Sequence, residues 1–256
     1  MIDTHAHLTY FGEKTQEIID TMCDIGLENI VNIGTTVADS KAGIELAKTN
    51  KNVYAVVGIY PEYADSITDE DLKEIEMLAK NKKVVAIGEI GLDYHTEGYN
   101  KEKQIELFIK QLEIADRLAL PFCIHCRGAA EDVYKILSEH KNLIKHSGIM
   151  HCYSEGKDWI KKFLDLGLYI SFSGNITFKK NDRSFLKDIP LDRILVETDS
   201  PYLSPEPIRG RTNEPKNVRY VIQKIADEVG LLFEELEKVT TDNAKRIYYK
   251  IGKENG

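Results

Sequence analysis

The sequence lacks any apolar run approaching the roughly 18 to 20 residues that span a bilayer. It opens Met-Ile-Asp-Thr-His, with neither a basic stretch nor a signal-like apolar one. No membrane span is expected, and the expected compartment is the cytoplasm. Cysteine is sparse, with Cys23, Cys123, Cys126 and Cys152 the four in 256 residues. In a chain of this size without a secretory signal, free thiols are expected rather than a disulfide framework. Basic charge is not in excess either: 34 Lys and Arg face 42 Asp and Glu, a net charge of -8. That excludes binding nucleic acid through a broad basic face. Local contact with phosphate survives the exclusion, because two divalent cations outweigh two ligand carboxylates and leave a site positive. Linker and low-complexity segments are missing too, so residues 1–256 are expected to form one domain, with no obligate protein partner evident. Apolar residues at 42% and charged ones at 30% are ordinary for a globular protein and too apolar for a disordered one.

What is present is an alternation. Short β-branched runs recur at 1–8, 30–35, 53–60, 84–92, 121–126, 149–152, 168–173 and 194–198, which makes eight predicted strands. Helix-period stretches lie between them, such as 101–120, where Ile105, Phe108, Ile109, Leu112 and Ala115 repeat at three and four residues. Another covers 159–166, and helices over 217–230 and 233–250 close the chain. Near-continuous apolar strands separated by helices indicate a parallel sheet covered on both faces. A count of eight favours closure into a single (β/α)8 TIM barrel over an open doubly wound sheet. The segment 204–216, with three prolines and three basic residues, reads as a long loop after strand eight, and such loops are often functional.

The rare ligand-type residues fall at the C-terminal ends of these strands, where barrel enzymes build their active sites. His5 and His7 end the first strand and, being two apart, face the same way, as joint ligands of one cation would. Glu89 sits in Ile87-Gly88-Glu89-Ile90-Gly91, inside an apolar run where an unpaired carboxylate costs several kcal/mol. A cation satisfies it, with a core Lys or Arg as the alternative, and the glycines on both sides allow close approach of backbone or ligand. Cys123-Ile124-His125-Cys126 and Ile149-Met150-His151-Cys152 repeat one pattern, each placing a His after apolar residues. Asp199 lies just past an apolar run that Pro201 stops, as a ligand or general base. Glu197, two residues earlier, could orient Asp199 or a ligating His. His140 and His146 belong in or near a helix at the surface, while His95, in the loop after strand four, is open. Cys123-x-x-Cys126 is not half of a zinc ribbon, since no second such pair exists and strand residues three apart face opposite sides.

These residues resemble the TatD-type metal-dependent deoxyribonucleases of the amidohydrolase superfamily, from Met1 to about Tyr248. The segments that carry the resemblance include Asp3-Thr4-His5-Ala6-His7-Leu8, Gly88-Glu89-Ile90-Gly91-Leu92-Asp93-Tyr94, Ile124-His125-Cys126-Arg127 and Met150-His151-Cys152-Tyr153-Ser154. Further ones are Ile170-Ser171-Phe172-Ser173-Gly174, Glu197-Thr198-Asp199-Ser200-Pro201-Tyr202, Arg209-Gly210-Arg211-Thr212-Asn213-Glu214-Pro215 and Thr241-Asp242-Asn243-Ala244. The resemblance implies a ligand set of His5, His7, Glu89, His125, His151 and Asp199, with Glu89 bridging two divalent cations drawn from Mg, Mn, Zn, Co or Ni. It implies hydrolysis of DNA by activated water; Asp199 is the candidate general base, since a carboxylate on the attack side can accept the water's proton, and the acidic surface points to single-stranded or frayed ends, or to RNA. Arg127, Arg209 and Arg211 are candidate phosphate clamps or simple surface charges. One departure is Gly58-Ile59-Tyr60-Pro61-Glu62, where the family often has a Gly-Ile-His-Pro-His-like run, so Tyr60 and Glu62 replace two substrate-side histidines. Tyr60 is therefore a candidate substrate contact. Alternatives that keep the same residues are an ester or amide hydrolase, such as one acting on a mischarged aminoacyl-tRNA, and a catalytically silent binding barrel.

Overall fold

Eight parallel strands pair in chain order in the computed structural model, whose described residues are 1–253. They are β1 (Ile2–Ala6), β2 (Asn29–Ile33), β3 (Val53–Val57), β4 (Val84–Asp93), β5 (Phe122–Arg127), β6 (Gly148–Met150), β7 (Tyr169–Phe172) and β8 (Ile194–Val196). The helices are α1 (Thr15–Thr21), α2 (Val37–Thr49), α3 (Asp69–Leu78), α4 (Lys101–Arg117), α5 (Ala130–Glu139), α6 (Lys157–Asp165), α7 (Val218–Val229) and α8 (Phe233–Ile247). Strands buried on both faces need no polar alternation, and all ten residues of β4 are buried. Alternate strand residues divide the core in two. Val31, Ile33, Val56, Val85 and Leu195 pack together with Ile247, Tyr248 and Ile251, which reach in from the end of α8. Their neighbours Ile30, Val53, Val57 and Ile87 pack in a second cluster with apolar residues of the helices. The result is the (β/α)8 barrel.

The β1–β8 seam is closed differently from the other seven junctions. One bridge, Ala6 to Ser200, joins the two ends, supported by backbone N–H donation from Asp199 to His5 (2.9 Å) and from His7 to Ser200 (2.8 Å). The Asp3 carboxylate spans the same seam, accepting from the Thr198 backbone N–H at 2.9 Å and from its hydroxyl at 2.6 Å.

Several expectations need correction. The strand expected over 149–152 ends at Met150 and that over 194–198 at Val196, because Cys152 (φ 45°) and Asp199 (φ 55°) turn into the left-handed region and leave the ladder. The strand expected over 53–60 ends at Val57, and Pro61–Tyr63 forms a 3-10 turn. Between β7 and β8 the chain makes 3-10 turns at Gly174–Thr177, Ser184–Asp188 and Leu191–Arg193 instead of an α-helix. Close approach of backbone explains the glycines around Glu89. A Cβ on Gly58 would meet the Gly88 carbonyl oxygen at 2.5 Å, and one on Gly91 (φ 137°) would meet that of His125 at 2.0 Å.

Candidate metal centre

His5, on β1, is fully buried, and His7 follows just past the strand end. Glu89 lies within β4, His125 within β5, His151 immediately beyond β6 and Asp199 three residues beyond β8. The barrel brings all six to one place. Glu89 faces both ways: its Oε2 is 3.5 Å from His5 Nε2, while its Oε1 lies 2.8 Å from His125 Nδ1 and 3.0 Å from His151 Nε2. Asp199 Oδ1 is 3.6 Å from His5 Nε2 and 3.5 Å from His7 Nε2. Three overlapping groups each gather ligand atoms within 4.8 Å: His5, His7 and Glu89; Glu89, His125 and His151; His5, His151 and Asp199.

These residues fit divalent cations. The buried Nε2 of His5 has no hydrogen-bond partner although two carboxylates face it. Separations of 3.5–3.6 Å are long for a hydrogen bond. They match the spacing of about 3.4 Å between two atoms that each sit about 2.1 Å from one tetrahedral cation.

Two imidazoles have their second nitrogen fixed by another carboxylate, which sets ring orientation and tautomer. His151 Nδ1 is 3.0 Å from Glu197 Oε1, which also accepts from the Cys152 backbone N–H at 2.8 Å; Ser171 donates to the other oxygen. Of the two roles open to Glu197, it takes the one toward His151. His125 Nε2 is 2.9 Å from Asp93 Oδ2, the oxygen to which the Tyr60 hydroxyl also donates at 3.0 Å. A proton on Nε2 leaves the Nδ1 lone pair aimed at Glu89. Sequence reasoning quoted Asp93 without giving it this task; its signal was a second acid at the end of the same apolar strand. Asn213 was also missed. Fully buried, it donates to the carbonyls of Thr198 (2.9 Å) and Tyr202 (2.8 Å) and so pins the long loop to the Asp199 turn.

Burial opposes charge on every one of these groups, and their partners decide the outcome. His5 is held below the usual imidazole value by its burial and by nearby His151. His7, His125 and His151 are raised despite burial, through Asp199, through Asp93 with Glu89, and through Glu89 with Glu197. The imidazoles in turn hold Glu89 well below, and Asp199 below, the usual carboxylate range.

The centre opens into a cavity of about 640 Å³ whose lining includes Tyr60, Glu62 and Arg127. Arg209 and Arg211 do not reach it. Both are exposed, and the Arg209 guanidinium lies 4.0 Å from the Phe178 ring centroid. His95 is exposed as well, bound through its backbone N–H to Asp93 Oδ1 at 2.8 Å. His140 and His146 lie at the surface near α5, away from the lining. All four cysteines are free thiols; Cys123 is buried with its Sγ 3.5 Å from His5 Nδ1, while Cys126 lines the cavity.

The family profile described as TatD related DNase matches residues 2–249. The chain is 39% identical to the uncharacterized metal-dependent hydrolase YabD of Bacillus subtilis strain 168, over 97% of this chain and 98% of the relative. It is 36% identical to the uncharacterized metal-dependent hydrolase YcfH of Escherichia coli K12, over 97% and 96% respectively. The crystal structure of the Escherichia coli K12 TatD homologue YJJV superposes with a TM-score of 0.92 at 25% identity, covering 97% of this chain and 98% of that one.

Proposed function

The chain belongs to the TatD related DNase family, and from that premise we propose that it is a metal-dependent phosphodiesterase acting at the ends of single-stranded or frayed DNA, or on RNA. The observation that carries the reading is the two-sided placement of Glu89, one oxygen toward His5 and the other toward His125 and His151. His5, His7 and Asp199 would hold one divalent cation, His125 and His151 a second, and Glu89 both. When bound, the pair supplies Lewis-acid polarisation of a phosphoryl oxygen and a lowered pKa for water at the site.

The remaining steps belong to the chain. Asp199, kept ionised by His7, accepts the proton of the attacking water. Arg127, exposed at the cavity, pairs with a phosphate oxygen. Asp93 and Glu197 keep the His125 and His151 rings aimed at Glu89. The experiment is one assay of single-stranded DNA, duplex DNA, RNA and simple carboxylic esters, run after chelation and after return of Mg, Mn, Zn, Co or Ni. Hydrolysis of single strands lost to chelator and restored by a cation is expected. Full activity in chelator would overturn the metal reading, and cleavage of esters alone would move the substrate to an acyl compound.

A further inference from the structure

Tyr10, Tyr63 and Tyr202 stay 45, 42 and 54% exposed, and all three stand at the one cavity that holds Glu89 and Asp199. Two of them bracket a single histidine. The Tyr10 ring is stacked on the His7 imidazole at 5.1 Å and 11°, and the Tyr202 ring meets the same imidazole edge-on at 6.0 Å and 72°. Tyr10 is anchored through its ring hydroxyl and Tyr202 through its backbone. The Tyr10 hydroxyl is 2.9 Å from that of Thr35, which itself donates to Asp39 at 3.2 Å. The Tyr202 backbone N–H donates to the Asp199 carbonyl at 2.9 Å, and its own carbonyl accepts from Asn213 at 2.8 Å. A ring fixed in advance, as that of Tyr10 is, loses little entropy when something packs on it.

The charge around these rings narrows what that something is. Among the described residues, the cavity lining contains one Lys or Arg, Arg127, together with the acidic Glu62. A length of strand gripped by its phosphates needs several cations, whereas an aromatic face stacks any base without them. We propose that Tyr10 and Tyr202, with Tyr63 at the outer edge, form a nucleobase subsite beside His7, so that the protein takes the terminal nucleotide of a single strand by its base rather than the strand by its backbone. The fate of that nucleotide rests on the phosphodiesterase reading above; its binding does not.

The test compares two diesters with the same leaving group, thymidine 5′-(4-nitrophenyl phosphate) and methyl 4-nitrophenyl phosphate, as a ratio of kcat/KM. Taking the ratio cancels any disturbance of His7 that both substrates feel. The ratio is expected to favour thymidine. Tyr10→Leu and Tyr202→Leu should each lower it at least about fivefold, equivalent to about 1 kcal/mol, the low end of a base–aromatic stack, while Tyr10→Phe and Tyr202→Phe retain it. Equal losses on both substrates would reduce the rings to supports for His7 and overturn the subsite. Calorimetric binding of thymidine 5′-monophosphate against inorganic phosphate gives a readout without turnover. A selective loss of nucleotide binding in the Leu variants supports the subsite, and a parallel loss of both ligands overturns it. If neither diester is cleaved with any cation, the phosphodiesterase reading fails, and the binding comparison alone decides the subsite.

Discussion

Glu197 is fully buried, yet all its named contacts are donors from other residues: His151, the Cys152 backbone N–H and Ser171. A carboxylate so placed costs too much to be packing alone. Glu197→Gln keeps the shape but removes the charge that orients His151, and cation affinity measured by calorimetric titration should fall about 10- to 100-fold. Affinity within twofold of the parent would show that His151 is aimed without it. Asp199→Asn should lower turnover at saturating cation by at least ~100-fold, the usual weight of a general base; a smaller loss assigns Asp199 to cation holding only. The six candidate ligands were legible in the sequence because imidazoles and carboxylates are conspicuous inside apolar runs. Asp93 and Asn213 were not, because their tasks exist only once His125, 32 positions from Asp93, and the Thr198 carbonyl, 15 from Asn213, are brought beside them. For Arg209 and Arg211 the sequence left two roles open, because basic residues in a long loop say nothing about where the loop's surface points; the structure places both at the exposed surface, off the cavity lining.

At the level of elements, all eight strands were readable from β-branched runs, and their ends were not. Extended propensity carries through Thr198 and Cys152, but the left-handed turns at Asp199 and Cys152 are tertiary decisions. They aim the side chains of Asp199 and His151 into the mouth. β4 and β5 lie close together at Gly91, and Gly91→Ala, with its Cβ driven against the His125 carbonyl, should cost about 1 to 3 kcal/mol in denaturant unfolding. An unchanged midpoint would mean that β5 yields freely. Between α3 and α4, Arg117 forks onto Glu76 at 2.8 and 3.3 Å and holds that carboxyl below its usual range. A carboxyl depressed in the folded state stabilises at pH values above its ordinary titration and loses that contribution as pH falls through it. Glu76→Gln should therefore cost about 0.2 to 1 kcal/mol at neutral pH, as half-exposed pairs do, and progressively less as pH falls below the ordinary carboxylate range. A cost that stayed constant with pH would point to lost packing instead.

For the whole molecule, we propose that residues 1–256 unfold as one domain, since the apolar clusters draw on strands from β1 to β8 and on α8. Scanning calorimetry should show a single transition. Chelation should lower its midpoint and an excess of the preferred cation raise it, because ligands that bind only the native state stabilise it by mass action. Two separated transitions would contradict the single unit. The seam that joins β8 to β1 also sets an order of events in the cell. Asp3 and Thr198, which close it, are 195 positions apart, and His5 and Asp199 lie just beside them. At synthesis rates of about 5 to 20 residues per second, roughly 10 to 40 s pass between the first half of this site leaving the ribosome and the last. Throughout that interval His5 and His7 have no Asp199 beside them. The six candidate ligands come together only after translation has delivered the eighth strand, so a chain cut short before it lacks one side of the candidate site, however well its earlier strands have paired.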